Sequence, residues 1–155
     1  MSSSRPERYV ALLDVNVLIA LAWPNHTHHR PARHWFDGHH AGGWATTPVT
    51  ECGFVRVSSN RAAIKTSTTP AIAVGLLERM AATAGHEFWP DDVALVTGVP
   101  ERGALVASHR DVTDAHLLAL ADRHGGRLVT FDSRLSRLLG GRNEDILQVL
   151  DGRDN

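Results

Sequence analysis

Twice in this chain a short apolar run of strand length ends on an aspartate and passes directly into a helical pattern. Residues 9–13 (YVALL) stop at Asp14, and residues 15–22 then read as a short buried helix halted by Pro24. Residues 127–131 (RLVTF), following Gly125 and Gly126, stop at Asp132 and lead into an apolar-periodic stretch over 133–139. Strands that alternate with helices imply an α/β chain with a mostly parallel central sheet flanked by helices. In open sheets of that kind ligands bind beyond the carboxyl ends of the strands, which is where both aspartates would be delivered.

The rest of the chain supports this architecture. Helical stretches are expected over 48–58, over 71–84 with an i, i+3, i+4 apolar stripe, and over 113–124 with Ala115, Leu117, Leu118 and Ala121 facing inward. Gly85 and Gly125 read as helix stops, residues 43–46 and 146–150 as further strands, and residues 89–110 have no clear assignment. With 155 residues and 43% hydrophobic content the expectation is one domain, 1–155, with an ordered core over about 8–150 and short loose ends. The net charge of −1 excludes a generally basic nucleic-acid binder, so any nucleic-acid contact must be local. No apolar signal core opens the chain and the early apolar run 17–23 is too short to cross a bilayer, so a soluble, cytoplasmic protein with no membrane contact is expected. Cys52 is the only cysteine, which excludes an internal disulfide framework and a cysteine-rich zinc site; it is expected to be a small core residue.

Each candidate acid has an ordinary explanation. Asp14 and Asp132 sit where helix N-caps belong, and Asp114 where a first-turn acid favours the helix dipole. Glu51 differs: with Thr47 as N-cap and Pro48 in the first helical position, the capping-box acid belongs at position 50, which is Thr. The Glu51 side chain is therefore either free for another task or simply exposed.

Four segments in order, LLDVNVLIA (12–20), TECGFVRV (50–57), VTDAHLLA (112–119) and LVTFDS (128–133), resemble the successive signature blocks of PIN domains, particularly the VapC toxins of bacterial toxin–antitoxin pairs. The resemblance implies a PIN-like single domain and a catalytic quartet of Asp14, Glu51, Asp114 and Asp132, supported by Asn16, Thr130 and Ser133. It further implies a Mg²⁺-dependent endoribonuclease, with Mn²⁺ as a substitute, that hydrolyses structured RNA, transfer RNA above all. A VapB-type antitoxin and a homodimer are the implied partners, the 71–80 stripe being either the dimer interface or simply core. Hard divalent cations suit this chemistry because they activate water and neutralise charge on phosphate oxygens, and they prefer oxygen ligands. Asp14 and Asp132 are expected as direct metal ligands with Asp114 beside them, while Glu51 and Asp114 complete the site or orient the attacking water.

Arg56, five residues after Glu51, is a candidate for an RNA phosphate, or else a solvated surface Arg. The histidines from His26 to His40 lack a recognised zinc-ligand spacing and are expected to line a polar helix and loop, where mild acid would make them attractive to phosphates. Trp23 and Trp35 are read as core or dimer interface, and Arg134 and Arg137, near Asp132, as solvated surface or else the rim of the site. Two other functions compete. A haloacid-dehalogenase-like phosphatase also places an Asp after its first strand, but requires a second two residues on, where this chain has Asn16. A binding module, such as an antitoxin-bound co-repressor, would use the acids only to hold a basic partner.

Overall fold

The computed structural model describes residues 8–64, 68–96, 108–141 and 144–153; the expected loose end 1–7, Arg142 and residues 154–155 lie outside them. Five short strands, β1 (Ala11–Leu13), β2 (Trp44–Thr46), β3 (His86–Phe88), β4 (Arg127–Thr130) and β5 (Leu147–Val149), form one sheet in the order β3-β2-β1-β4-β5. Every neighbouring pair is parallel. The helices among the described residues are α1 (Val15–Ala22), α2 (His29–His39), α3 (Pro48–Ser58), α4 (Pro70–Ala81), α5 (Val112–Arg123) and α6 (Ser136–Leu139). The direction of winding reverses between β1 and β4, the crevice position at which open parallel sheets bind ligands.

Strand periodicity divides the core into two layers. Ala11, Leu13, Trp44 and Val129 pack with Leu18, Phe36, Phe54 and Leu77 of α1 to α4, whereas Leu12, Ala45 and Leu128 pack with Leu117, Leu120 and Leu139 of α5 and α6. Both faces of the sheet are thereby covered, as an all-parallel sheet requires. Gly53 allows α3 to lie against α1, since a Cβ there would meet Val15 Cγ2 at 2.5 Å. Gly125, at φ +68°, ends α5 as expected, and Gly126 passes beneath Trp89 and the Val10 carbonyl, where a Cβ would collide.

One expectation, that for Cys52, changes, and two features lie beyond the sequence reading. The short strand β3 carries no apolar alternation, because it is an edge strand whose residues are half-buried or exposed. Cys52 is exposed: the inward face of α3 is Thr50, Gly53, Phe54 and Ser58, which leaves position 52 on the outer side. The stripe on α4 buries Ala73 and Leu77 but leaves Ile72 59% and Val74 51% exposed. No described helix is long and apolar enough to cross a membrane.

Candidate active site

Strand phase decides which side chains meet. Leu13 pairs with Val129, so the next residues along, Asp14 and Thr130, lie side by side at the carboxyl edge of the sheet, and alternation turns both to the α5 face. The Thr130 hydroxyl is the hub. It donates to Asp14 Oδ2 at 2.8 Å and accepts from Asn16 Nδ2 at 3.0 Å and from the Asp132 backbone N–H at 3.1 Å. Asn16 also accepts from the Phe131 N–H at 3.2 Å, so its side chain braces the turn after β4. A residue committed to that brace is not the second acid that a phosphatase of the haloacid-dehalogenase type needs.

The capping readings hold as well. Asp14 Oδ1 accepts from Val15 N–H at 2.7 Å, and Asp132 Oδ1 accepts from Arg134 N–H at 3.0 Å. Caps alone do not couple distant elements, however, and these acids are coupled. Burial pushes the Asp14 carboxyl up, against the hydrogen bonds from Thr130 and Val15, and the Asp132 charge adds to the rise. Asp114, in the first turn of α5, is raised from 3.8 to about 6, first by burial and then by the charges of Asp14 and Asp132. Three aspartates from β1, α5 and the end of β4 thus share one electrostatic environment.

Asp132 is held the other way. Arg134, read from sequence as solvated, grips its carboxylate with Nε at 3.0 Å from Oδ1 and Nη2 at 2.8 Å from Oδ2, which keeps Asp132 below the usual carboxylate range. Ser133 is exposed in the single turn between them.

Glu51 stands apart from this group. Its Oε2 accepts from Thr46 Oγ1 at 2.7 Å, and His86 Nε2 lies 2.8 Å from the same hydroxyl. Because Thr46 is one residue past Ala45, it points to the α1 to α4 face, opposite to Asp14 and Thr130. Glu51 therefore shares the sheet edge with the aspartates but approaches from the other face, and its charge acts on His86, whose pKa burial nevertheless lowers. Sequence reasoning missed Thr46 and His86 as its partners. Arg56 is exposed, about 7.5 Å further along α3 and about 140° round from Glu51.

The donor set suits a hard cation: carboxylate oxygens, with like charges that a cation would relieve. Among the described residues no three His, Cys, Asp or Glu side chains converge closely enough to hold an ion directly. Three of the histidines between His26 and His40 serve the backbone instead: His29 and His39 of α2, and His40 just after it, each place Nδ1 within 2.7 to 2.9 Å of a main-chain carbonyl.

The sequence matches the PIN-domain family over residues 11–140. The chain belongs to that family. Among PIN-domain proteins it is similar to Ribonuclease VapC39 of Mycobacterium tuberculosis, 60% identical over 126 residues that span 81% of this chain and 91% of that protein. It is also similar to Ribonuclease VapC38 of the same organism, 47% identical over 142 residues, 91% of this chain and 98% of that one. The fold resembles DNA-bound VapBC from Salmonella typhimurium, with a TM-score of 0.57 at 14% identity over 91% of this chain and 98% of that one. It equally resembles VapBC2 from Rickettsia felis bound to a DNA fragment from their promoter, with a TM-score of 0.56 at 13% identity over 92% and 99%.

Proposed function

We propose that this PIN-domain protein is a VapC-type toxin: a Mg²⁺-dependent endoribonuclease, with Mn²⁺ as a substitute, that hydrolyses phosphodiester bonds in structured RNA, transfer RNA first among candidates. The observation that carries the reading is the shared environment of Asp14, Asp114 and Asp132 at the topological switch point, where burial and like charge raise Asp114 to about 6. Asp14, Asp114 and Asp132 would hold the ion, in part through water. The ion, when bound, supplies an activated water and neutralises charge on the phosphate and leaving oxygens.

The remaining residues position these groups. Thr130 fixes the Asp14 carboxylate and the turn that presents Asp132, and Asn16 locks that turn. Glu51, aimed by Thr46, reaches the edge from the opposite face, a placement suited to orienting a water rather than to sharing the three aspartates' ion. Ser133 remains a supporting residue at the turn, and Arg56 a phosphate contact for RNA extending along α3.

A VapB-type antitoxin is the proposed partner, its basic groups complementing the acidic edge. The exposed Ile72, one turn before the half-buried Leu76, supports one side of α4 as the face of a homodimer, to be checked by light scattering of the wild type and of Ile72→Asp. The test of the activity is cleavage of transfer RNA by the partner-free protein with Mg²⁺, against EDTA and against Asp114→Asn. Undiminished cleavage in EDTA would overturn the mechanism, and small phosphate esters turned over in preference to RNA would favour a phosphatase.

A further inference from the structure

An open groove of about 550 Å³ runs between the first half of α2 and the segment after β5. Its walls carry His29, Arg30, Arg33, His34 and Arg153, with Trp35 among the lining residues. The space is within the range of about 300–1,000 Å³ typical of small-ligand sites. Arg33 is paired with Asp37 and Arg153 with Asp151, both pairs exposed, while Arg30 has no acidic partner among the described residues. Exposed pairs of this kind hold weakly, and a phosphate competes well for a guanidinium because its oxygens match the paired N–H groups. The N-terminal end of α2 adds a positive dipole end at His29 and Arg30. The indole N–H of Trp35, shielded from solvent, has no acceptor among the described residues.

The groove lies on the α1 to α4 side of the sheet and is tied to the turn that carries Asp132. Leu150, one of its lining residues, donates its N–H to the Thr130 carbonyl at 2.7 Å. The His28 ring stacks on Phe131 at 4.8 Å and its Nδ1 lies 3.2 Å from the Gly152 carbonyl, joining the start of α2 to the tail and to the turn that carries Asp132. A chain of net charge −1 with an acidic cluster repels a polyanion, so attraction has to come from cations placed beside the cluster.

We propose that this groove holds the phosphodiester backbone of a single-stranded stretch of RNA next to the bond that is cut, with Arg30 and Arg153 as its principal phosphate contacts. The inference rests on the nuclease reading of the aspartates. Its test is fluorescence anisotropy of a labelled single-stranded RNA oligonucleotide with the full chain in EDTA, over a range of salt. The Arg30→Ala/Arg153→Ala double variant should lose about tenfold in affinity and its salt slope should fall by about 1.4. Arg30→Lys should keep most of the slope, and Arg123→Ala, in the last turn of α5 and outside the groove, should match wild type.

A double variant that melts like wild type and binds RNA as tightly, with the same slope, overturns the inference. So does groove-dependent binding of polyglutamate without binding of RNA, which would mark an acidic protein partner instead. Cleavage with Mg²⁺ is a separate arm. A wild type that cuts no RNA but binds it through Arg30 and Arg153 supports the groove and removes the nuclease reading, whereas cutting with groove-independent binding does the reverse.

Discussion

Arg134 closes both oxygens of Asp132 in a two-pronged grip only two residues away along the chain, and Arg153 holds Asp151 in the same Asp-x-Arg geometry. At Asp151 the grip is a local turn; at Asp132 it occupies a carboxylate expected to meet a cation. Arg134→Gln should therefore tighten Mn²⁺ binding, because the ion no longer competes with a guanidinium for Asp132. Isothermal titration of Mn²⁺ into both proteins checks this, and an unchanged or weaker affinity in the variant would show that Arg134 only orients the carboxylate.

Thr130→Val removes one hydroxyl and leaves three groups without it, the Asp14 carboxylate in a buried setting and the Asn16 amide and the Asp132 N–H in part-buried ones. Leaving buried polar groups unpaired costs about 1–3 kcal/mol, so the variant should lose that much stability in urea unfolding along with most of its RNA cleavage. Thr130→Ser keeps the hydroxyl and should recover both.

Asp114 gives the metal-free protein a pH dependence of definite sign. The folded state retains this proton up to about 6, while the unfolded chain releases it near 3.8, so between those values the folded state binds more protons and stability falls as pH rises. Asp14, also raised, contributes in the same direction; Asp132, lowered, contributes stability that is lost only in stronger acid, below the usual carboxylate value. In EDTA, Asp114→Asn should therefore melt with less dependence on pH across that window and above wild type at neutral pH. Mg²⁺ should reverse the ranking, since it stabilises the protein that keeps the ligand. Melting curves with EDTA and with Mg²⁺ decide the matter, and two proteins insensitive to both would leave Asp114 as a helix-dipole residue only.

Glu51→Gln should behave differently in the same melts. Its charge lies on the other face of the sheet, against Thr46 and His86, so its removal relieves no repulsion among the aspartates. Turnover should fall with RNA binding retained, and the melting temperature in EDTA should not rise as it does for Asp114→Asn. A matching rise would place Glu51 within the aspartate cluster after all.

The parts of this arrangement legible in the sequence are those carried by periodicity. The strand–Asp–helix junctions at Asp14 and Asp132, the helices of residues 48–58 and 112–123, and the stop at Gly125 follow from local patterns that the tertiary structure reinforces. The rest depends on contacts between segments far apart in the chain. His86 lies on an edge strand of three residues, too short and too polar to show a period, and its tie to Glu51 through Thr46 spans three elements. Arg134 was visible as a residue, but its grip depends on the backbone turn at Ser133. The exposure of Cys52 follows from its position on α3, where Thr50, Phe54 and Ser58 mark the inner side, and not from its residue type.

Asp14 and Thr46 end adjacent strands yet turn to opposite faces, so the site is set by phase rather than by proximity in sequence. A single residue inserted between Leu13 and Asp14 would leave every core side chain of β1 in place and swing the carboxylate to the apolar side of the sheet, away from Thr130 and Asp114. The β1–α1 junction can drift in composition far more freely than it can change in length.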